Sequence, residues 1–102
     1  MYRVLLVDDE INIVDALQDA LQQMDDDRIE YVKAYSGQKA LQCLNRMQID
    51  VVVTDISMPR IDGIELLRKI EELWPRCKVI FLTCHDDFEY AQKAANLNCF
   101  RY

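Results

Sequence analysis

Four short apolar runs punctuate this chain, and a longer stretch with helical spacing follows each of them. The runs are Val4-Leu5-Leu6-Val7, the partly alternating Ile29–Ala34, Val51-Val52-Val53 and Val79-Ile80-Phe81-Leu82. They predict strands over 2–7, 29–34, 51–55 and 78–83. Val14, Leu17, Leu21 and Met24 recur at spacings of three and four, which predicts a helix over 11–24. Ser36 is a candidate N-cap for a helix reaching Met47, with Ala40, Leu41, Leu44 and Met47 on its apolar stripe. Asp62 and Glu65 have the capping-box spacing ahead of Leu67, Ile70 and Leu73, and Pro75 closes that helix. Asp86 and Glu89 repeat the spacing for a helix to Leu97, with Asn98 suited to the left-handed C′ position. Cys99-Phe100-Arg101-Tyr102 reads as the start of a fifth strand.

Strands that alternate with helices and are apolar almost throughout predict a parallel α/β sheet covered on both faces. The partial alternation of 29–34 predicts a sheet edge. A length of 102 residues, with two glycines, two prolines and no repeat or linker, predicts one domain. The run Asp25-Asp26-Asp27 reads as a solvated turn.

Charge and cysteine usage narrow the partners. A net charge of −6 gains nothing from counterion release on a phosphate backbone, so no nucleic acid is expected at this domain itself. No apolar run is long enough to cross a bilayer, and the N-terminus lacks a signal-peptide layout, so no membrane partner and a cytoplasmic location are expected. Cys43, Cys77, Cys84 and Cys99 form no C-x-x-C pair, and His85 adjoins Cys84 in a geometry poorly suited to sharing zinc; reduced thiols are the expectation.

The chemistry gathers at strand ends. Val7 runs into Asp8-Asp9-Glu10, Val53-Thr54 runs into Asp55, and the fourth strand closes on Thr83. Reactive sites of open parallel sheets lie beyond the carboxyl ends of the strands. Parallel neighbours would therefore bring three carboxylates to one place, where they repel one another and call for a cation. Mg²⁺ suits an oxygen-only donor set with room for water and a phosphoryl group. Asp8 has an alternative reading as a cap for the first helix.

In this order and at these positions, Val7-Asp8-Asp9-Glu10, Asp55 with Met58-Pro59-Arg60-Ile61-Asp62-Gly63, and Thr83 resemble the response-regulator receiver domain of two-component signalling over the whole chain. The resemblance implies a flavodoxin-like, CheY-like doubly wound sheet with strand order 2-1-3-4-5. It implies that Asp55 accepts a phosphoryl group from a sensor histidine kinase. Asp9 would bind Mg²⁺ (or Mn²⁺) directly and Asp8 mainly through water, with Asp55 and the backbone carbonyl of Ser57 completing the protein ligands. Thr83 would hydrogen-bond the phosphoryl group, and Tyr102 would be the switch aromatic that turns inward as Thr83 moves. Ser57 and His85 flank the site and would tune phosphoryl lifetime. Residues 86–95 are similar to receivers that precede AraC-type helix-turn-helix outputs. DNA would then be bound by an output domain absent here.

Two departures from the family pattern stand out. The lysine expected three residues after the switch aromatic lies past Tyr102, and so does the last helix; the chain reads as a receiver incomplete within its fifth strand. An apolar sheet face left open, or the surface of the fourth helix and fifth strand, would favour a homodimer. Cys84 also stands where the family prefers a very small residue, which narrows access to Asp55. Competing functions are a receiver-like interaction module without phosphotransfer and an aspartate-nucleophile phosphatase. The phosphatase would need an acid at position 57, where this chain has Ser57. A flavin-binding domain would need a hydroxyl-rich phosphate loop after the first strand, and there is none.

Overall fold

A computed structural model describes residues 1–24 and 26–82 in full and 99–101 as backbone. The elements run β1 (Tyr2–Val7), α1 (Ile11–Gln22), β2 (Ile29–Ala34), α2 (Gly37–Arg46), β3 (Val51–Asp55), α3 (Gly63–Leu73), β4 (Lys78–Leu82) and β5 (Cys99–Arg101). The expected helix over 86–97, with Thr83, Cys84, His85 and Tyr102, lies outside the described residues.

The strands form one parallel sheet in the order β2-β1-β3-β4-β5, as the resemblance implies. β2 is an edge, which explains its mixed burial. Val7 pairs with both Ala34 and Thr54, and Asp55 pairs with Leu82. The carboxyl ends of β1, β3 and β4 are therefore level with one another.

Alternation along the strands splits the core into two layers. Leu5, Val7, Val52, Val79 and Phe81 face α2 and α3, joined by Ala40, Leu44, Leu67 and Ile70. Val4, Leu6 and Val53 point to the opposite face, where Val14 of α1 meets them and Leu17 and Leu21 pack alongside. At the amino-terminal edge Asp50 clamps three strands together. Its carboxylate accepts the Arg3 amide at 2.8 Å, its own amide donates to the Arg3 carbonyl at 2.9 Å, and its carbonyl accepts the Lys78 amide at 3.0 Å.

Local chemistry sets the helix ends, with some shifts from expectation. Ser36 caps α2 by accepting the Lys39 amide at 3.1 Å, and Asp62 caps α3 by accepting the Glu65 amide at 2.9 Å. α1 stops at Gln22, short of the expected Met24, whose side chain is 72% exposed. The chain turns there because Asp26 grips Arg28: its carboxylate accepts the Arg28 amide and a two-pronged guanidinium contact, each at 3.0 Å. That partner holds the Asp26 carboxyl below its usual range, so the described part of the acidic run, Asp26-Asp27, enters a built turn. α2 ends at Arg46; Met47 has left the helix yet still packs on the core. Leu73, expected on the buried stripe of α3, is exposed, and Trp74 takes that place. The chain leaves helical geometry at Trp74 ahead of Pro75, and the indole N–H donates to the Leu44 carbonyl at 2.8 Å.

Candidate phosphoacceptor and metal site

Asp8 follows the last residue of β1, and Asp55 is the last residue of β3. The pairing of Val7 with Thr54 sets them side by side. One carboxylate oxygen from each of Asp8, Asp9 and Asp55 lies within 4.8 Å of the others. Among the described residues, this is the one group of three or more potential ligands close enough to share an ion. Asp8 is buried, Asp55 half-buried and Asp9 exposed, so the cluster grades from the sheet outward.

Each inner carboxylate is oriented by a neighbouring amide. Asp8 Oδ1 accepts the Glu10 N–H at 2.9 Å, and Asp55 Oδ1 accepts the Ile56 N–H at 2.8 Å. The Asp8 contact answers the alternative reading of that residue. Glu10, not Asp8, occupies the N-cap of α1, and its side chain makes no capping bond. Burial first, with the Asp55 charge and Asp9 adding to it and the Glu10 amide opposing it, lifts the Asp8 carboxyl to about 6.

This donor set fits Mg²⁺. It supplies hard oxygens only, from three carboxylates within reach of one ion, the outermost of them exposed to solvent. Cys43 is half-buried, and Cys77 is a buried thiol whose pKa burial pushes up to about 11, so neither resembles a reactive or metal-binding thiol.

The loop between β3 and α3 completes the rim. Ile56 and Met58 are buried and the intervening Ser57 is exposed at the surface. The Gly63 amide donates to the Ile56 carbonyl at 2.7 Å, closing the loop at its base. A side chain at Gly63 would stand 2.5 Å from the Asp55 carbonyl oxygen and 2.8 Å from Ile56 Cα. Glycine is required there by close approach alone. At the loop's tip Arg60 has φ 68°, a left-handed conformation uncommon for a residue with a Cβ, and its guanidinium donates to Gln38 at 3.4 Å. The motif reading of 58–63 did not anticipate this geometry. Behind the cluster the Thr54 side chain is buried, and its hydroxyl donates to the Asp55 carbonyl at 2.9 Å.

The structure thus brings Asp8, Asp9 and Asp55 together, with Ser57 on the adjoining loop. Thr83, His85 and Tyr102 lie outside the described residues, although the pairing of Leu82 with Asp55 carries β4 to the edge of the site. A cavity of about 240 Å³ lined by Gln48, Asp50, Trp74 and Arg76 lies at the amino-terminal edge of the sheet, away from this chemistry.

A family model described as response regulator receiver domain matches residues 4–102. The chain is similar to the uncharacterized transcriptional regulatory protein YesN of Bacillus subtilis, 34% identical over 94 residues, covering 92% of this chain and 26% of that protein. It spans about a quarter of that relative's length. Among solved structures, a two-component transcriptional regulator AraC from Clostridium phytofermentans superposes with a TM-score of 0.88 at 33% identity, over 99% of this chain and 81% of that one. The response regulator TrrA from Thermotoga maritima, in complex with Mg²⁺ and BeF, superposes with a TM-score of 0.79 at 34% identity, over 94% of this chain and 83% of that one.

Proposed function

This chain belongs to the response regulator receiver family of two-component signalling, and from that premise we propose that Asp55 accepts a phosphoryl group from the phosphohistidine of a sensor kinase. The observation that carries the reading is the meeting of three carboxylates at the level carboxyl ends of β1 and β3. With its Oδ1 held by the Ile56 amide, the Asp55 carboxylate is pre-oriented for in-line attack through its other oxygen. A P–O bond forms as the P–N bond to the imidazole breaks, and the departing nitrogen takes its proton from water. Asp9, Asp55, the Ser57 carbonyl and, through water, Asp8 would hold Mg²⁺. The ion would neutralise charge on the transferring phosphoryl oxygens. Thr83 would hydrogen-bond the transferred group and Tyr102 would report its arrival. Ser57 and His85 would set the lifetime of the acyl phosphate by guiding or blocking water.

The likeness to YesN and to the Clostridium regulator supports a place in a transcriptional regulator, in the cytoplasm, with DNA bound by a further domain. A homodimer through the fourth helix and fifth strand, or through an open sheet face, would couple the switch to that output. The phosphatase alternative finds no support, since the position two residues after Asp55 is an exposed serine and not an acid.

Incubation with Mg²⁺ and acetyl phosphate, followed by intact mass measurement, tests the reading. One added phosphoryl group that disappears in Asp55→Asn supports it. No adduct, either on this chain or on a version extended past Tyr102, would overturn it.

A further inference from the structure

The chain has two glycines, and both occupy the first position of a helix: Gly37 in α2 and Gly63 in α3. Neither has positive φ, so neither is needed for backbone conformation. Glycine is a poor helix former and lacks a side chain to pack, so its use at both positions invites another reason. Close approach supplies it, and in both cases the neighbour is the same segment. Gly63 lies against Asp55 and Ile56 at the base of the β3–α3 loop. A Cβ on Gly37 would stand 2.5 Å from the Ile61 carbonyl oxygen, 2.8 Å from Ile61 Cβ and 3.0 Å from Ile61 Cγ2, at the loop's far end.

We infer that Gly37 is a positioning residue for the metal site: the first turn of α2 is a buttress on which the β3–α3 loop rests. The inference rests on the proposed function, because the loop carries Ser57, the proposed carbonyl ligand. The loop is pinned at one end by the bond from Gly63 to Ile56 and anchored by buried Ile56 and Met58. Its other end is located by the contact of Ile61 with Gly37, beside the bond from Arg60 to Gln38. The Ser36 cap on Lys39 holds the buttress itself in place. A methyl group at position 37 has to displace backbone, since the nearest atom is a carbonyl oxygen. Restoring even a tight contact of 3.0 Å requires a shift of about 0.5 Å. That is the tolerance within which a metal constellation must be held, and Mg²⁺ demands near-ideal octahedral geometry.

The test is Mg²⁺ affinity by isothermal titration calorimetry on the unsubstituted chain, Gly37→Ala, Ile61→Ala and Ala40→Gly, each checked by circular dichroism and thermal melting. Ile61→Ala trims Cγ2 from the loop's side of the contact while keeping the carbonyl oxygen and Cβ, adds no crowding, and guards against misfolding of Gly37→Ala. Ala40→Gly loosens the same helix at a buried position one turn further along, leaving the contact between positions 37 and 61 as it is. Loss of a supporting contact typically weakens metal affinity 10–100-fold. We expect at least tenfold weaker binding in Gly37→Ala, several-fold weaker in Ile61→Ala, and a change within twofold in Ala40→Gly. Unchanged affinity in Gly37→Ala despite a lower melting temperature would show that α2 yields and the loop does not, which overturns the inference. Equal weakening in all three variants would overturn it as well, by pointing to general loosening. Absence of Mg²⁺ binding by the unsubstituted chain would overturn the metal reading and the inference with it.

Discussion

Replacing Asp8 with asparagine should stabilise the metal-free fold while abolishing its stabilisation by Mg²⁺. Asp8 is 6% exposed, and burial with two acidic neighbours lifts its pKa from the ordinary 3.8 to about 6. The folded-state value lies above the unfolded one, so the protonated form favours folding. The stability this group contributes is fully present below 3.8 and is lost as pH rises through about 6. At one pKa unit per 1.36 kcal/mol, the loss approaches about 3 kcal/mol at pH 7.5 and shrinks to less than about 1 kcal/mol at pH 4. Water at the open side of the cluster makes these figures ceilings. Asparagine is nearly isosteric, keeps an oxygen to accept the Glu10 amide, and turns a donor toward the Asp55 carboxylate where a charge had been.

Thermal melts of both proteins in EDTA across pH 4–7.5 provide the assay. For a domain of this size 1 kcal/mol moves Tm by about 4–8 °C. The variant should therefore melt about 5–15 °C above the unsubstituted chain at pH 7.5, with the gap closing to a few degrees at pH 4. Excess Mg²⁺ should raise the Tm of the unsubstituted chain by mass action and leave the variant nearly unmoved. A variant that melts at or below the unsubstituted chain at pH 7.5 in EDTA would refute the reasoning, because the ionised cluster would then carry no folding penalty for a cation to relieve.

Gly63→Ala should lower stability by more than 1 kcal/mol, because its methyl group meets the Asp55 backbone at 2.5 Å; a melting temperature within 2–3 °C of the unsubstituted chain would contradict the close approach. Arg60→Gly should raise Tm by a few degrees, since a left-handed residue bearing a Cβ costs about 1–2 kcal/mol and glycine returns part of that gain as lost chain entropy. Arg60→Ala keeps the Cβ and should gain nothing, so a melt equal to or above that of Arg60→Gly would remove the strain from consideration. Phe81→Ala empties a fully buried site beside Thr54 in the sheet and should cost about 3–5 kcal/mol; urea denaturation showing a loss under 1 kcal/mol would mean the core collapses around it.

What could be read from the chain beforehand divides along a physical line. Apolar runs of strand length ending in Asp8 and Asp55 were sufficient to foresee the carboxylate cluster, because the end of a buried parallel strand is already a position in space: the carboxyl edge of the sheet. The level register of Val7 with Thr54 and of Asp55 with Leu82 adds the distance between the groups but not their identity. Ser36 and Asp62 could be placed for a similar reason, since a cap bonds within its own turn. The features that escaped depend on residues distant in sequence. Leu73 fits the helical stripe as well as any residue of α3, and only the departure of the chain before Pro75 gives its place to Trp74. Gly37 looks like an ordinary weak helix starter until Ile61 is seen pressed against it, and Arg60 carries no composition signal for a left-handed backbone. The strand-end acids define which chemistry is available, whereas the glycines and the loop they support bear on how accurately it is held. A chain could therefore keep Asp8, Asp9 and Asp55, fold into the same sheet, and still bind Mg²⁺ poorly after one methyl group is added at position 37. The variants proposed above separate those two levels, because Asp8→Asn changes the charge at fixed shape and Gly37→Ala changes the shape at fixed charge.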